Sequence, residues 1–595
     1  LFRDNEGDGA IYYVWDYSRR KVVKYDWIHD EGDHKDGNDG HGTHVAGTVA
    51  GKASGKDSDT LPSGVAPDAR IAFFDMRKGD GGMYNPGADV LFDSVRGKDS
   101  GRGARVVNGS WGRTIRPYSD FCVDYDSGLY RNDDMVYVAS TGNLGDDIKY
   151  WGDPSIKDPA LCKNGIAVGA SYGDDNYEDF VSYSSLGPTL DGRSKPDIVA
   201  PGIDVNSAIA GSECTFEEWE GTSMAAPVVT GSVVLIRQYF EEGWYPCGLK
   251  NCGAPIVPSG SLLKAVLMNG AQTLDGKVKR YGKTVNNADL KPYDNKQGMG
   301  RIHLLSSLSL FGENSINTMV VNDKEIGDGQ VDDAVVQITC SHETISVTIA
   351  WYDPPSLQSC KECLINDLDL SITRQTDSAG KVVHDPKYFP NGRKDADTKN
   401  NVERIQIRGA KENEAYRIQV KGTNLAKPGM QKYSLVATGC FRVLEEGKEG
   451  HLSSQEDSNA DNGGIFSPAF ASAWPTNINL KNSRVKFYPD GKKDGTPKRC
   501  GWLEKEESRR RQFCSQEAGI NNLVDAACPE TCGKYDRNAP CHDTEISLGR
   551  TLDGEEKTCG WLQRNQKGWK KCGHSGEIRN KKADAICPMT CGWCG

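Results

Sequence analysis

The sequence predicts an α/β domain with a parallel sheet, followed by an all-β sandwich and two small disulfide-rich modules. Up to about residue 310, short apolar runs alternate with helical stretches rich in Gly and Ala, which is typical of a parallel sheet covered by helices. Apolar residues then recur at every second position up to about residue 440, as in strands with one buried face. Finally, ten of the 19 cysteines lie between Cys500 and Cys594, a density typical of modules held by disulfides.

Length and charge narrow the class of protein. The 595 residues exceed what one hydrophobic core supports, so several domains are expected. The net charge of -11 comes without a long basic run, which gives no reason to expect nucleic acid as a partner. No stretch reaches the ~18 to 20 uninterrupted apolar residues of a membrane-spanning helix, so we expect none. The predicted boundaries are 1–310 for the α/β domain, 314–442 for the sandwich, 443–480 for a linker, and 481–536 and 537–595 for the two modules.

Local patterns define the strands of the two larger domains. In the α/β domain, the predicted strands include the apolar runs at residues 71–74, 106–107, 135–139 and 165–170. In the sandwich, alternation places Ile345, Val347, Ile349 and Trp351 on one face of a strand. Residues 444–464 are largely acidic or small and bury too little apolar surface to order themselves, which indicates a linker.

Two motifs point to nucleophilic catalysis. The sequence GHGTHVAG at residues 40–47 couples His41 to very small residues, as expected for an imidazole at the start of a tightly packed helix. The sequence GTSMAAP at residues 221–227 precedes an apolar stretch, which places Ser223 at a helix N-terminus beneath free N–H groups. A serine hydroxyl needs a base to take its proton, and a Ser and a His in separate loops supply that pair. For either residue alone, a core histidine or a helix cap would be the simpler interpretation.

Both motifs resemble the His and Ser signatures of the subtilisin-like serine proteases, and the chain between them is similar to that family along most of residues 1–310. The resemblance implies that His41 is the general base and Ser223 the nucleophile. It also implies that Ser110, Trp111 and Gly112 belong to the substrate-binding strand, and that the amide of Asn143 donates to the oxyanion. Taken from its sequence alone, Asn143 could equally be a turn residue after Gly142.

The third catalytic residue of that family, an Asp in an Asp-Ser/Thr-Gly turn before the His, is missing from the sequence. Two matching tripeptides, beginning at Asp99 and Asp126, follow His41 and so stand in the wrong order. We therefore assign no catalytic Asp and expect it just upstream of Leu1. Without it the polypeptide as numbered should be nearly inactive, because the imidazole loses the group that fixes its tautomer.

The predicted sandwich resembles the jelly-roll domain that follows the catalytic domain in some bacterial alkaline subtilisin-like proteases. Serine protease chemistry requires no cofactor, but those relatives often carry structural calcium. Hard oxygen ligands of the type that calcium prefers are offered by Asn366, Asp367, Asp369 and Glu403. Polar strand ends that face solvent are the alternative interpretation.

The C-terminal modules form an internal repeat, in which CGWL recurs at residues 500 and 559 and a CP-x-TCG pattern at residues 528 and 587. The second module resembles the ShK-like toxin module, with six cysteines: Cys541, Cys559, Cys572, Cys587, Cys591 and Cys594. The resemblance implies that the first pairs with the sixth, the second with the fourth and the third with the fifth. The first module has Asn482 and Tyr535 where the first and sixth cysteines would stand, which fits that pairing. A zinc site is the weaker alternative.

The remaining cysteines also bear on location. Among the nine before Cys500, we expect Cys247 to pair with Cys252 and Cys340 with Cys440. The odd number leaves one cysteine over, for which we expect a partner upstream of Leu1. Disulfides form in oxidising compartments, so we expect a secreted protein with a signal peptide before residue 1.

The sequence therefore predicts a secreted serine endopeptidase that acts on protein or peptide substrates through a Ser-His-Asp triad and an acyl-enzyme. The cysteine modules are expected to bind an extracellular ligand or to act as spacers. The alternative functions are a catalytically impaired pseudoprotease and an extracellular binding protein that acts through these modules.

Overall fold

The computed structural model describes most of the chain between Lys21 and Leu444. The described residues are 21–27, 36, 40–53, 61–76, 83–84, 86–96, 103–146, 154–211, 215–286, 290–341, 344–383, 385–426 and 429–444. The chain forms two compact units, the first made of Leu1–Ser309 with Ile316–Trp474 and the second of Leu310–Ser315 with Pro475–Gly595. The predicted linker beyond Leu444 and both predicted cysteine modules lie outside the described residues, so those predictions stay untested. Val443 and Leu444, predicted to begin the linker, belong instead to the last strand of the sandwich.

The first unit contains five helices and nineteen strands within the described residues. The helices are α1 His41–Ala50, α2 Ala88–Arg96, α3 Asp120–Arg131, α4 Thr222–Glu241 and α5 Gly260–Asn269. The strands of the N-terminal part are β1 Val22–Trp27, β2 Ile71–Asp75, β3 Val106–Gly109, β4 Val136–Ser140, β5 Ile166–Ser171, β6 Phe180–Val181, β7 Ile198–Pro201, β8 Val205–Ala208, β9 Phe216–Trp219, β10 Val278–Arg280 and β11 Lys283–Asn286. Those of the C-terminal part are β12 Asn317–Gly327, β13 Val331–Ile338, β14 Ile345–Ala350, β15 Asp367–Thr376, β16 Val402–Ile407, β17 Ala415–Asn424, β18 Met430–Gly439 and β19 Phe441–Leu444.

The four strands expected from apolar runs in the α/β domain are present as β2, β3, β4 and β5. The main sheet has the order β11-β10-β6-β5-β4-β3, with β7 also paired to β5. Strands β3, β4, β5 and β7 pair in parallel, and all residues of β4 and β5 are buried, as expected where helices cover a parallel sheet. The predicted α/β fold class of this domain is therefore confirmed.

The sheet is mixed, however: the predicted parallel pairing holds for β3, β4, β5 and β7 but not throughout the sheet. Strand β6 runs antiparallel to β5, with Ser171 opposite Phe180, and β11 runs antiparallel to β10. Only eight residues separate Ser171 from Phe180. So short a connection returns the chain directly beside the strand it has just left, whereas a parallel neighbour needs a crossover of a dozen residues or more.

The C-terminal part of the unit is a sandwich of two four-stranded sheets. One sheet has the order β12-β18-β14-β16 and the other β15-β17-β13-β19, and all their pairs are antiparallel. Ile345, Val347, Ile349 and Trp351 all enter the hydrophobic core between the sheets, as their alternation predicts. The residues between them in β14 are buried as well, so both faces of this strand are covered.

The second face of β14 packs against helix α5 of the N-terminal part. Ser346 Oγ donates to the carbonyl of Asn269 at 2.9 Å, and Thr348 Oγ1 donates to Asn269 Oδ1 at 3.0 Å. All ten residues of α5 are buried, because the helix lies between the main sheet and the sandwich. Lys163 adds a buried ion pair with Asp353 across the same junction.

A buried arginine completes this junction. Arg404, in β16, is 1% exposed and has a hydrogen bond to a carbonyl group with each terminal nitrogen. Its acceptors are the carbonyl oxygens of Met268 at 2.8 Å, Ala271 at 2.9 Å and Met299 at 2.7 Å. The first two lie at the C-terminal end of α5, where the helix dipole places partial negative charge, so the guanidinium is stabilised without a carboxylate partner.

Four disulfides lie within the described residues. The two expected pairs, Cys247–Cys252 and Cys340–Cys440, are present. Two further pairs are Cys122–Cys162 and Cys360–Cys363. The ninth cysteine before Cys500 is Cys214, which lies outside the described residues. Among the helices that the structure describes, none combines the length and hydropathy needed to cross a bilayer.

The Arg404 contacts predict a large loss of stability when the guanidinium is removed. Arg404→Met should lower the free energy of unfolding by roughly 3 kcal/mol or more, because three buried carbonyls lose their donor. Arg404→Lys should have an intermediate effect, since an ammonium keeps the charge but cannot reproduce the planar fork. Urea denaturation measures both. Arg408→Met, at an exposed arginine just beyond β16, is the control and should change stability by less than about 0.5 kcal/mol. Equal losses at both positions would contradict this account of the junction.

Candidate active site

His41 is the first residue of helix α1, whose start is fixed by a glycine. Gly40 has φ 67° and ψ 21°, the left-handed conformation, and a Cβ at this position would lie 2.9 Å from Ala210 Cβ. A side chain here would therefore be disfavoured by the backbone conformation and would collide with Ala210. Asp36 accepts a hydrogen bond from the N–H of Thr43, one of the donors that the first turn leaves unpaired. The sequence does not distinguish Asp36 from the other acidic residues around it.

Trp219 connects helix α1 with the segment that carries Ser223. Its ring stacks on His44 with centroids 4.6 Å apart, and its centroid lies 6.3 Å from that of His41. Trp219 ends β9 and is followed within three residues by helix α4. The histidine helix and the serine helix are therefore held side by side, and α1 and α4 also pack directly against each other.

His44 is a structural histidine in this arrangement. The residue is buried, and its Nε2 lies 3.0 Å from the carbonyl oxygen of Glu217. Burial lowers the pKa of the His44 imidazole, so the neutral ring donates to that carbonyl. Of the two histidines in the motif, only His41 is at the helix terminus.

Ser223 is the second residue of helix α4, after a turn that only glycine can form. Gly221 has φ 143° and ψ 162°, a region closed to residues with a side chain. A Cβ on Gly221 would lie 3.3 Å from Asn143 Nδ2. Gly221 therefore lets the start of the helix approach the loop that carries Asn143.

Asn143 is oriented by two hydrogen bonds from Thr222. The backbone N–H of Thr222 donates to Asn143 Oδ1 at 3.0 Å, and Thr222 Oγ1 donates to the same oxygen at 2.8 Å. Since a backbone N–H can only donate, the atom it meets must be the amide oxygen. The Thr222 hydroxyl also accepts from the N–H of Gly142 at 3.1 Å. The amide NH₂ of Asn143 is thereby turned away from Thr222 and left available.

A second donor lies beside that amide. In the first turn of α4, the N–H groups of Met224 and Ala225 donate to the carbonyl of Gly221. Within the described residues the N–H of Ser223 has no acceptor, as expected for one of the first donors of a helix. The Ser223 N–H and the Asn143 amide are thus two free donors at a helix N-terminus, where partial positive charge favours an anion.

Ser110 joins the end of β3 to Ser223. Ser223 Oγ donates to the carbonyl of Ser110 at 3.3 Å, and Ser110 Oγ donates to the carbonyl of Ser223 at 2.8 Å. The Ser223 carbonyl is free to accept because the residue four positions later, Pro227, has no N–H. Asn108 completes the connection, since its Oδ1 accepts from Thr230 Oγ1 at 2.8 Å.

The other predicted substrate-strand residues differ in exposure. The ring of Trp111 packs edge-on against Phe121 of helix α3, with centroids 5.5 Å apart. Gly112 is exposed. The strand β3 ends the path of the main sheet, and Ser110–Gly112 continue from it, so their backbone is placed where an extended peptide could pair.

Comparison with known proteins agrees with this geometry. The model of the Subtilase family matches residues 13–300. Subtilisin BL of Lederbergia lenta is 33% identical over 219 residues, which cover 36% of this chain and 69% of that protein. This chain belongs to the subtilase family. The thermophilic serine proteinase of Bacillus sp. (strain AK1) is 34% identical over 219 residues, covering 36% of this subtilase and 47% of that protein.

A longer match shows that this subtilase is similar to larger proteins. Serine protease/ABC transporter B family protein tagB of Dictyostelium discoideum is 27% identical over 554 residues, covering 71% of this chain. The match covers only 28% of tagB, so the chain spans less than a third of that relative's length.

The described residues of the subtilase do not test the expectation of an upstream catalytic Asp. They do explain why the tripeptide at Asp126 is not a substitute. Asp126 is buried in helix α3 and accepts from Tyr118 Oη at 2.7 Å and from the N–H groups of Lys163 at 3.0 Å and Asn164 at 2.8 Å. Its oxygens are occupied by structural hydrogen bonds. The tripeptide at Asp99 lies outside the described residues.

The predicted calcium ligands divide into two groups. Asn366 is fully engaged, since its Oδ1 accepts from the N–H of Ala426 at 2.8 Å and its Nδ2 donates to Gln431 at 2.7 Å. By contrast, one buried oxygen on each of Asp367, Asp369 and Glu403 has no hydrogen-bond partner in the described part of the chain.

Two of these carboxyl groups, those of Asp367 and Glu403, are costly to ionise in the folded protein. Burial raises the pKa of the Glu403 carboxyl well above its ordinary value. Burial and the neighbouring charge of Asp369 raise the pKa of Asp367 to about 7. The carboxylate oxygens of Asp367, Asp369 and Glu403 nevertheless do not all lie within 4.8 Å of one another. Among the described residues, the group of potential ligands that does converge within 4.8 Å is Cys122, Asp158 and Cys162, and its two cysteines form a disulfide.

The geometry predicts that Asn143 acts on the reaction rate more than on substrate binding. Asn143→Ala should lower kcat by roughly 10²- to 10³-fold with a much smaller change in KM, the range established for loss of one oxyanion donor in a subtilisin. Steady-state kinetics on a fluorogenic peptide, normalised to the concentration of reactive serine, measure this effect. A loss confined to KM would contradict the assignment.

Thr222 should contribute through the orientation of Asn143. Thr222→Val keeps the shape of the side chain but removes the hydroxyl, so kcat should fall roughly five- to tenfold, the value of about one neutral hydrogen bond. Thr222→Ser retains the hydroxyl and should stay near wild type. If the valine and serine variants have the same kcat, the hydroxyl does not position the amide.

Proposed function

We propose that this subtilase is a secreted serine endopeptidase in which Ser223 is the nucleophile and His41 the general base. The observation that carries the proposal is the start of helix α4. There the Ser223 hydroxyl, the unpaired N–H of the same residue and the oriented amide of Asn143 occur together. A hydroxyl next to two free donors is the arrangement that acyl transfer needs.

In the first step, His41 takes the proton of Ser223 Oγ as the oxygen attacks the carbonyl carbon of the scissile peptide bond. The negative charge that develops on the substrate oxygen is stabilised by the Ser223 N–H and the Asn143 amide. Both donors are held before the substrate arrives, so they need not reorganise as the charge forms. The imidazolium then protonates the leaving amine, which breaks the peptide bond and leaves an acyl-enzyme.

In the second step, water replaces the leaving amine. His41 removes a proton from the water, which attacks the ester carbonyl, and the same two donors stabilise the second oxyanion. Collapse of that intermediate returns the proton to Ser223 Oγ and releases the acid product. We assign none of residues 1–595 as the third member of the triad, the carboxylate that orients the imidazole.

Substrate approach follows from the position of β3. An extended peptide that pairs with Ser110–Gly112 would place its carbonyl next to Ser223, because Ser110 and Ser223 are hydrogen-bonded to each other. This arrangement favours an endopeptidase acting on protein or peptide chains. Comparison with the subtilases favours the peptidase over the alternatives of a pseudoprotease or a binding protein.

Secretion is part of the proposal and is supported by the cysteines. Two disulfides lie within the α/β part and two within the sandwich, and such bonds persist in oxidising compartments. We also propose that the cysteine-rich region beyond the linker binds an extracellular ligand or serves as a spacer.

We further propose structural calcium near β15 and β16, held by Asp367, Asp369 and Glu403 and without Asn366. Support comes from the three buried oxygens that have no partner among the described residues. A divalent cation would offset the negative charge of these carboxylates. The catalytic chemistry itself needs no cofactor.

The assignment of the nucleophile is tested by covalent labelling. A fluorophosphonate probe should label the full-length protein at Ser223, and Ser223→Ala should abolish both labelling and hydrolysis of a denatured protein substrate. Ser232→Ala makes the same substitution in the same helix, where the hydroxyl only donates to the carbonyl of Val228, and should keep both activities. Labelling that survives Ser223→Ala would refute the proposal.

The calcium proposal predicts a specific thermal shift. Adding calcium after treatment with a chelator should raise Tm, whereas Glu403→Gln should show no such response, because the variant lacks the charge that the ion neutralises. In the presence of chelator, Glu403→Gln should be at least as stable as wild type, since a buried charge has been removed. Glu412→Gln, at an exposed glutamate, is the control and should retain the response to calcium. A wild-type Tm that is insensitive to calcium would exclude the site.

A further inference from the structure

We propose that Lys157 makes this enzyme selective for substrates with an acidic side chain, Glu or Asp, on the residue whose carbonyl is attacked. This residue is called P1. The inference rests on the proposed peptidase function and adds the substrate class. It comes from the packing of one lysine between two glycines beside the catalytic centre.

The position of the P1 side chain is set by the catalytic groups. The attacked carbonyl must lie at Ser223 Oγ, with its oxygen toward the Ser223 N–H and the Asn143 amide. The P1 side chain branches from the carbon next to that carbonyl, so its pocket must adjoin the same donors. On the protein side, this space lies between the segment Ser110–Gly112 and the loop of Gly142 and Asn143, which together surround Ser223.

Lys157 lies in this space. Its backbone N–H donates to the carbonyl of Thr141 at 2.9 Å, which ties it to the loop of Asn143. A Cβ on Gly142 would lie 2.7 Å from Lys157 Cδ and 2.8 Å from its Cγ, and a Cβ on Gly112 would lie 3.0 Å from Lys157 Cβ. The methylene stem therefore runs between the two glycines, and any side chain at either position would collide with it. Gly142 has φ +99°, which excludes other residues independently.

The packing fixes the stem of Lys157 and leaves its charge available. The residue is half-buried, as expected for a lysine that covers apolar surface with its methylenes while the ammonium reaches solvent. Within the part of the chain that the structure describes, the Lys157 ammonium has no ion pair or hydrogen bond. A cation with an immobilised stem and no partner is a site for an anionic group of the substrate.

The adjacent acidic residue does not neutralise this charge. Asp158 follows Lys157 directly, but its carboxylate is fully buried and bonded to Arg113 Nη2 at 2.6 Å. The backbones of Arg113 and Asp158 also exchange two hydrogen bonds, N–H to carbonyl at 2.8 and 3.1 Å. The Asp158 side chain is thus buried and paired with Arg113, while Lys157 lies toward Gly112 and Gly142.

An acidic P1 residue is favoured over the alternatives on physical grounds. A P1 carboxylate would gain a charge-assisted hydrogen bond from the ammonium in a partly buried setting. A P1 lysine or arginine would be repelled, and a long apolar side chain would bury the ammonium without a partner. The preference should weaken with salt, because Lys157 is only half-buried.

The test uses the full-length protein and four fluorogenic peptides that differ only at P1, which is Glu, Gln, Leu or Lys. The wild type should cleave the Glu peptide with a kcat/KM at least about tenfold above that of its neutral isostere Gln, the value of one charged hydrogen bond. This ratio should fall as NaCl is raised from about 0.02 to 0.5 M. Lys157→Met keeps the length of the stem and should bring the ratio to about one, and Lys157→Glu should shift the preference to the Lys peptide.

The control is Lys432→Met, at a surface lysine of the sandwich that pairs with Asp133 and Asp323. It should leave the Glu/Gln ratio unchanged. Equal cleavage of the Glu and Gln peptides by wild type, or a ratio that survives Lys157→Met, would overturn the specificity assignment while the peptidase function stands. If no peptide of the set is cleaved and no serine is labelled by the fluorophosphonate, the proposed function fails and the specificity fails with it.

Discussion

Two hydrogen bonds from Thr222 to Asn143 Oδ1 determine how the catalytic groups are arranged. They connect residues 79 positions apart, one at the start of helix α4 and the other in the loop after β4. Because a single amide oxygen accepts both, the opposite side of the amide is fixed as a donor. The left-handed and extended glycines at 142 and 221 are what allow the two backbones to approach closely enough.

Helix α4 also contributes through the hydrogen bond that its proline removes. Because Pro227 has no N–H, the Ser223 carbonyl lacks its usual helical hydrogen bond. The hydroxyl of Ser110 donates to this carbonyl instead. The missing helical hydrogen bond thereby allows Ser110, directly after β3, to bond to helix α4. The start of helix α4, the segment after β3 and the loop of Asn143 are thus connected by hydrogen bonds that each join a side chain to a main-chain group.

Sequence reasoning found the features that are encoded locally. His41 and Ser223 are at helix starts because small residues and apolar runs around them define those helices, and the strands β2 to β5 follow from short apolar runs. The antiparallel β6 was missed, because a two-residue strand carries almost no periodic signal. Asn366 seemed a suitable ligand by chemistry alone, whereas its amide is engaged by Ala426 and Gln431, contacts between distant residues. No pattern in the sequence points to Lys157. Its contacts with Gly112 and Gly142, which are 45 and 15 positions away, form only in the folded chain.

The junction between the α/β part and the sandwich has a consequence for how such proteins diversify. At the C-terminal end of α5, Arg404 of β16 donates to the carbonyls of Met268 and Ala271, and Asn269 accepts from the hydroxyls of Ser346 and Thr348 in β14. Recombination that exchanged the sandwich for another domain would expose a buried helix and leave its carbonyls unpaired. The two parts belong to one compact unit, so a viable gene fusion is expected to join the chain outside both of them.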